Sequence, residues 1–372
     1  MIFCIITHVN HYHDQQQYFA YAPYVREMNI WLKHVEEVII VAPCPNNEIS
    51  KIDVPYNATS IDFRKVSSLE LTSIKQTITT FFRLPKVTAE IFKAMKSADH
   101  IHLRCPGNMG LLGCLVQILF PSKKKSAKYA GNWDSQSKQP WSYRLQKWIL
   151  NNTALTKNMQ VLVYGDWPNN TENIKPFFTA SYFQHEIVPV QDIESEKTFR
   201  FVFAGSLVQG KNPLYALKLI QQLKHVIPNV RLDLYGDGVL KTELQQYIHE
   251  NNLQNEVYMH GNQNAEVIKS AFQTGHFVVL PSRSEGWPKA IAEGMFWGCI
   301  PLATAVSCVP EMLDYGTRGI LLSLDLERDF REVINLIQNK SYFQMMRQKA
   351  ARWSRMYTLD YFESEIQKIL SR

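Results

Sequence analysis

Two glutamates raise the first chemical question. Glu285 and Glu293 stand eight residues apart in PSRSEGWPKAIAEGMFWG, residues 281–298, with one Pro, one Lys and otherwise apolar or small residues between them. Pro288 suits a first helical position, because its fixed φ is helical and its missing N–H is not needed there. A helix is therefore expected from Pro288 to about Trp297, with Glu285 just before it and Glu293 in its second turn. Trp287 then takes the capping position and offers no oxygen to the free N–H groups of Lys289, Ala290 and Ile291. Unused donors at the positive end of a helix attract an anion, and Lys289 adds a full charge beside them. The competing reading is that Ser284 or Glu285 folds back as the cap.

Two more turns have the look of ligand loops. FAGSLVQGKNP sets Gly205 and Ser206 after one apolar run, then Gly210 and Lys211 before a helical one. LYGDG sets Gly236, Asp237 and Gly238 after the next. Each alone is weak, since left-handed turns need Gly in any case. Together they place several strand ends near the glutamate pair, and ligands bind at the carboxyl ends of strands in open α/β sheets.

The elements that must position these groups are legible as alternation. IFCIITH, VEEVIIVAP, HIHLR, AKYAG and VLVYG read as strands in the first half. Helical patterns at Tyr18–His34, Val87–Ser97 and Trp141–Leu150 lie among them. The series restarts at FRFVFAG and continues through VRLDLYG, VYMHG, HFVVLPS, CIPLAT and GILL. Runs apolar on both faces, joined by helices, imply parallel sheets buried between helix layers. Two series imply two doubly wound α/β domains, as a chain of 372 residues allows. The expected division is 1–188, a polar linker at 189–198 within VPVQDIESEKTFR, 199–340, and closing helices at 341–372 that pack back toward the first domain.

Bulk properties narrow the class. A hydrophobic content of 45% with 20% charged residues is that of a globular protein. The N-terminal apolar run lacks a basic leader and a small-residue cleavage site, and it reads as a first strand. Six scattered cysteines without a CxxC fit free thiols in the cytoplasm. The net charge of +6 is concentrated, because residues 121–157 hold eight Lys or Arg against Asp134 alone. A general nucleic-acid-binding surface is therefore not expected.

Taken together, these stretches make the second half resemble the C-terminal domain of a family 4, GT-B fold glycosyltransferase ("glycosyl transferases group 1" type). FAGSLVQGKNP, LYGDG, VYMHGNQ, the 281–304 stretch and VPEMLDYGTRGILL follow in that family's order, and Glu285 and Glu293 match its E-x7-E motif. The resemblance implies two Rossmann-like domains facing across a cleft. It also implies a retaining hexosyl transfer from a nucleotide sugar, a UDP- or GDP-sugar, with no bound cofactor or metal. Carried onto these residues, it makes Glu293 the ribose ligand and Glu285 the group facing the donor sugar. Lys211 neutralises the leaving diphosphate, and the backbone of Gly261 and Asn262 meets the base. Gly205, Ser206, Gly236, Asp237, Gly286, Trp287, Pro288, Lys289 and Ala290 complete the donor set.

The chain also departs from that family. Ser206 stands where an arginine usually follows the glycine, and Lys289 is expected to replace that cation. Cys308 and Val309 stand where paired glycines are usual. The first loop reads THVNHYHDQQQ in place of a glycine-rich one.

The first half resembles the family in layout only and is expected to take the acceptor. His11, His13, His102, Asn108 and Trp133 are its candidate contacts. Arg104 is a candidate catalytic cation where relatives place a histidine; the alternative is a structural Arg paired with an acid. His8, His11, His13 and Asp14 fit no standard zinc spacing. Trp141, Arg144 and Trp148 mix aromatic and basic character, which suits a membrane surface or a lipid-diphosphate acceptor; a core helix with a solvated face is the plainer reading. The function expected is glycosyl transfer to a glycan or lipid-linked acceptor in surface polysaccharide or glycoconjugate synthesis, in the cytoplasm or peripherally at the inner face of the membrane. The alternatives are a catalytically silent scaffold of the same fold and a sugar-nucleotide epimerase. A dinucleotide oxidoreductase is disfavoured, as no GxGxxG follows the first strand.

Overall fold

The structure, a computed structural model, describes residues 1–14, 17–46, 48–50, 52–58, 60–69, 74–168, 170–190 and 198–371. The chain forms two compact units, Met1–Phe178 with Glu363–Arg372, and Thr179–Phe362.

Unit 1 runs β1 (Ile2–Ile6), β2 (His11–Asp14), β3 (Gln17–Tyr21), α1 (Ala22–Leu32), β4 (Glu37–Pro43), β5 (Asp53–Pro55), β6 (Ile61–Val66) and α2 (Ile74–Ser97). It continues with β7 (His100–Cys105), α3 (Asn108–Val116), β8 (Lys124–Tyr129), α4 (Trp141–Leu150), β9 (Met159–Tyr164) and β10 (Ile174–Phe177). Seven strands pair in the order β10-β9-β8-β7-β1-β4-β6, all parallel. Strands β1 and β7 are apolar or buried along nearly their whole length because both sheet faces are covered.

Two expectations fail here. The first loop, His8–Gln17, is partly a strand: β2 and β3 form an antiparallel hairpin extended by β5. Tyr18–Tyr21 consequently belong to β3, and the helix begins only at Ala22, with Pro23 in its first turn. The second helix starts well before Val87 and carries Pro85 inside it. That proline lies on the solvent side, where the lost backbone bond is tolerated.

Unit 2 runs β11 (Phe199–Ala204), α5 (Pro213–Leu223), β12 (Val230–Tyr235), α6 (Lys241–Glu250), β13 (Val257–Gly261), α7 (Ala265–Thr274), β14 (Phe277–Leu280) and α8 (Lys289–Phe296). Then follow β15 (Ile300–Thr304), α9 (Val309–Met312), β16 (Ile320–Leu322), α10 (Leu326–Gln338), α11 (Lys340–Ser354) and α12 (Leu359–Ser371). The strand order is β13-β12-β11-β14-β15-β16, again parallel. This is the doubly wound 3-2-1-4-5-6 arrangement. Its direction of winding reverses between β11 and β14, which opens a crevice at their carboxyl ends.

The unit boundary falls at Phe178/Thr179, ahead of the expected linker, whose residues 191–197 lie outside the described residues. The segment between joins unit 2 by packing: Tyr182 lies 4.9 Å from Phe296 and 5.1 Å from Trp297, ring to ring. Helix α11 also stays with unit 2, contrary to expectation. Arg347 donates to the Gly298 carbonyl at 2.7 Å and Ser354 to that of Ala292 at 2.6 Å. Only the residues of α12 from Glu363 onward group with unit 1.

Candidate active site

The loops leaving β11 and β14 flank the crevice of unit 2, and they carry Lys211 and Glu285. A hydrogen bond from Arg283 N to Gly210 O, 2.8 Å, ties the two loops together. The Glu285 carboxylate is buried, and its Oε1 accepts from Lys211 Nζ at 2.6 Å. Glu285 therefore does not cap the helix behind it. Pro288, not Trp287, is the residue at the cap, and no side chain caps this end. Ile291 N bonds back to Pro288 O at 2.9 Å, so of the three expected free amides only those of Lys289 and Ala290 precede the helix's own bonding.

Residues of the β15 end hold the loop from behind. Thr304 Oγ1 donates to Ser282 O, Ser307 Oγ reaches Gly286 O at 3.1 Å, and Cys308 Sγ reaches the same carbonyl at 3.3 Å. Burial pushes the Cys308 thiol up to about 12, which keeps it an S–H donor. Cys308, which breaks the family pattern, thus secures the backbone beside Glu285. Trp287 leans outward from this loop onto α11, 6.0 Å from Trp353 and nearly parallel to it, with the Tyr357 ring edge-on at 5.6 Å.

Glu293 sits one turn into α8. Its Oε1 accepts from Ser181 Oγ at 2.5 Å, and Lys289 Nζ stands 3.9 Å away at the i,i+4 position. Lys289 thus neighbours the second glutamate as well as the helix start. Ser181 does not stand out in the sequence, and nothing local marks it. Helix α8 packs tightly on β14 because Gly294 lacks a side chain: a Cβ there would meet Val278 at 2.7 Å.

The glycines of the other loops have a structural role. A Cβ on Gly236, whose φ is +141°, would stand 2.0 Å from Gly205 O, so the loops after β11 and β12 nest only as glycine on glycine. Gly236 N in turn donates to Gly261 O at 2.8 Å. Asp237 is solvent-facing. Its carboxyl is held below the usual range by Lys241 at 3.1 Å and by the Gly238 amide at 2.8 Å. Ser206 and Asn262 are exposed, and Gly261 has open space where a Cβ would be.

The candidates of unit 1 do not gather in the same way. His11 lies in the core, stacked on Tyr56 at 5.6 Å, with its ring nitrogens 2.8 Å from Val9 O and 2.7 Å from Tyr56 Oη. Burial lowers it to about 4. His102 is fully buried on β7 and shares Ser126 Oγ with His100, both at 2.8 Å. Neither can touch an acceptor, because the sheet face they line is covered. His13 is exposed on the hairpin, 4.6 Å from the Tyr18 ring. Asn108 donates to Leu69 O at 2.7 Å, and Trp133 is buried with its N–H on Asn170 at 3.1 Å. Arg104 is buried, paired with Glu27 and 5.2 Å over the Tyr24 ring. It is thus a structural Arg paired with an acid, and not a free catalytic cation.

The sheet of unit 1 reverses between β1 and β7. The residue at those strand ends is His8: a Cβ on Gly107 would stand 3.0 Å from its Nδ1. Burial, then Arg104, lower its pKa. In the sequence His8 stands out only as a possible metal ligand. Among the described residues no cluster of three or more His, Cys, Asp or Glu could hold a metal.

Comparison with known proteins bears on the same elements. Residues 186–353 match the model of the family described as glycosyl transferases group 1. This segment belongs to that family. It begins ahead of β11 and ends in α11, so it contains every donor-side residue named above except Ser181. Among curated proteins, the chain is 25% identical over 192 residues to a poly(glycerol-phosphate) alpha-glucosyltransferase of Bacillus subtilis (strain 168), covering 49% of this chain and 27% of that protein. It is 29% identical over 135 residues to a phosphatidylinositol N-acetylglucosaminyltransferase of Arabidopsis thaliana, covering 36% of this chain and 29% of that one. The chain thus spans under a third of either relative's length. Among solved structures, the Anabaena protein Alr3699/HepE in complex with UDP and glucose matches over 100% of this chain and 99% of its own. The TM-score is 0.70 at 13% identity, a likeness of fold. Both units therefore have the GT-B fold expected from the sequence.

Proposed function

We propose that the chain is a retaining glycosyltransferase that moves a hexose from a UDP- or GDP-sugar to a glycan or lipid-linked acceptor, in surface polysaccharide or glycoconjugate synthesis. The observation that carries this reading is the Lys211–Glu285 pair, 2.6 Å, at the strand reversal of unit 2 beside the uncapped start of α8. A cation and a carboxylate on adjoining loops can divide a nucleotide sugar between them. Lys211 transfers from Glu285 to the diphosphate, and the freed carboxylate accepts from the sugar hydroxyls. The Lys289 and Ala290 amides and the Lys289 ammonium meet the same diphosphate, so Lys289 stands in for the arginine absent at Ser206. Glu293 accepts both ribose hydroxyls. The relatives' names support the reaction class, and a UDP-bound neighbour supports the donor class.

In this reading the bond from the anomeric carbon to the diphosphate oxygen breaks, and the acceptor oxygen bonds the same face of that carbon. The acceptor's proton passes to the departing oxygen. Most of the rate then comes from stabilising charge on the leaving group, and Glu285 stabilises the positive ring. Thermal stabilisation of the protein by a panel of UDP-, GDP- and ADP-sugars identifies the donor. Proton NMR of the first product reports the anomeric outcome. If no nucleoside diphosphate or its sugar stabilises the protein, the reading fails.

A further inference from the structure

The basic segment at 121–157 is not the cationic surface its composition implies. Lys125 and Lys128 are buried, Lys128 donating to Phe178 O at 2.7 Å. Lys147 reaches the carbonyls of Trp133 and Asp134 at 3.0 and 2.8 Å, and Lys123 those of Lys96 and Ala98. The exposed charge of unit 1 is arranged differently.

The crossovers β6→β7, β7→β8 and β8→β9 all step the same way across the sheet, whereas β1→β4 steps the other way. Right-handed crossovers therefore put α2, α3 and α4 on one face and α1 on the opposite one. The outer side of that three-helix layer carries large apolar groups. Phe81 and Phe82 on α2 are 70% and 78% exposed, and Trp141 and Trp148 on α4 are 62% and 61% exposed. Trp141, Arg144 and Trp148 share a helix face, and Ser142, Gln146, Ile149 and Leu150 fill the opposite one. The plainer reading, with these tryptophans in the core, does not hold. The three helices carry seven Lys or Arg and a single acid, Glu90, which Lys93 already pairs at 3.0 Å. Arg83, Lys86, Lys96 and Arg144 are exposed.

We propose that this face docks unit 1 onto an anionic lipid bilayer. Exposed Trp and Phe are stable at the headgroup level, where the ring is half desolvated. Unopposed Lys and Arg are drawn to an anionic leaflet. A protein partner fits less well, since Lys is depleted from such interfaces. The contact is a surface one: among the described residues no helix is long and apolar enough to cross a membrane. It stands independently of the donor site in unit 2.

Flotation of the full chain with vesicles tests this. Phosphatidylcholine vesicles containing roughly a third phosphatidylglycerol should carry the protein up, and pure phosphatidylcholine should not. Salt at about 1 M should release it. The pairs Trp141→Ser with Trp148→Ser, and Phe81→Ser with Phe82→Ser, should each cut partitioning about tenfold or more. Lys86→Glu with Arg144→Glu should do the same, while Lys218→Glu on unit 2 leaves it unchanged. Two separate apolar pairs keep the test open if one variant misfolds, which circular dichroism reports. Calorimetry with nucleoside diphosphates reads the donor site separately. Absent binding, equal binding to neutral vesicles, or undiminished binding by all three variants overturns the proposal. So does a concentration-dependent dimer abolished by the same variants, which would assign the face to a second copy.

Discussion

Ser181→Ala tests how the ribose-binding carboxylate is held. Glu293 has two neighbours: the Ser181 hydroxyl at 2.5 Å and the Lys289 ammonium at 3.9 Å. At 3.9 Å, and with a lysine side chain 30% exposed, the Coulomb attraction is near its value in water, about 1 kcal/mol. The hydroxyl bond is short and charge-assisted, worth about 1.5–3 kcal/mol where water cannot replace it. Water can partly replace it here, because Glu293 is 19% exposed, so about 1 kcal/mol of orientation remains. Isothermal calorimetry with the nucleoside diphosphate should show affinity falling about fivefold. Glu293→Ala should weaken binding about a hundredfold or more, as two ribose bonds of about 1.5 kcal/mol or more each are lost. The decisive arm is the double variant. If Ser181 acts through Glu293, Ser181→Ala adds nothing in the Glu293→Ala background, and Ser181→Thr restores affinity in the otherwise native chain. Fully additive effects would refute the assignment.

Lys289→Ala should lower turnover far more than Lys218→Ala, and Ser206→Arg in that variant should recover part of the loss; full turnover by Lys289→Ala contradicts the compensation. Glu285→Gln should cut turnover by orders of magnitude with nucleotide affinity nearly intact, measured by product formation beside calorimetry. An inverted product would sink same-face attack, and a glycosyl adduct on Glu285 in the intact mass would favour double displacement. Stability should fall in acid through the buried histidines. His11, His100 and His276 are each lowered to about 4 by burial. A depressed histidine stabilises the fold fully above its unfolded value of about 6.5, and that contribution is lost as pH falls toward 4. Between pH 7 and pH 5 each should cost about 2 kcal/mol, and His11→Gln should shrink the pH-dependent drop in denaturation midpoint by about one such share. An unchanged drop would show that His11 is not neutral in the fold.

The parts of this molecule that are legible in its sequence are those set by local periodicity. Strand runs such as Phe201–Phe203 and Val278–Leu280 are apolar throughout because both sheet faces are covered. The β11 and β14 loops could be read because a strand reversal needs loops there, and glycines mark them. Spatial partnerships were not legible. Ser181 and Glu293 lie 112 residues apart in the chain, and a serine in TASYF has no local signature. The histidines misled for the same reason: His11 and His102 look like site residues in a short window, but the alternation of β2 and β7 turns them into the core. His8 does lie at a strand reversal, and it differs from them only in following its strand directly.

The charges of the donor site explain why its departures from the family go together. Two lysines face two glutamates, so without a donor the site is near neutral and both cations have carboxylate neighbours, at 2.6 and 3.9 Å. A nucleotide sugar brings a diphosphate of charge about −2. Binding is then an exchange, in which Lys211 leaves Glu285 for phosphate while Glu285 turns to sugar hydroxyls. A full arginine at position 206 would leave one cation without a carboxylate partner in the empty site. With Ser206 there, neither donor-site lysine waits unpaired, and the anion's remaining attraction falls to the amides of Lys289 and Ala290, which salt screens little at contact. The affinity for nucleoside diphosphate should therefore fall only weakly between about 0.05 and 0.5 M salt. Ser206→Arg should raise both the affinity at low salt and the steepness of its salt dependence. A steep dependence in the native chain would mean that a free cation, outside these two pairs, carries the diphosphate.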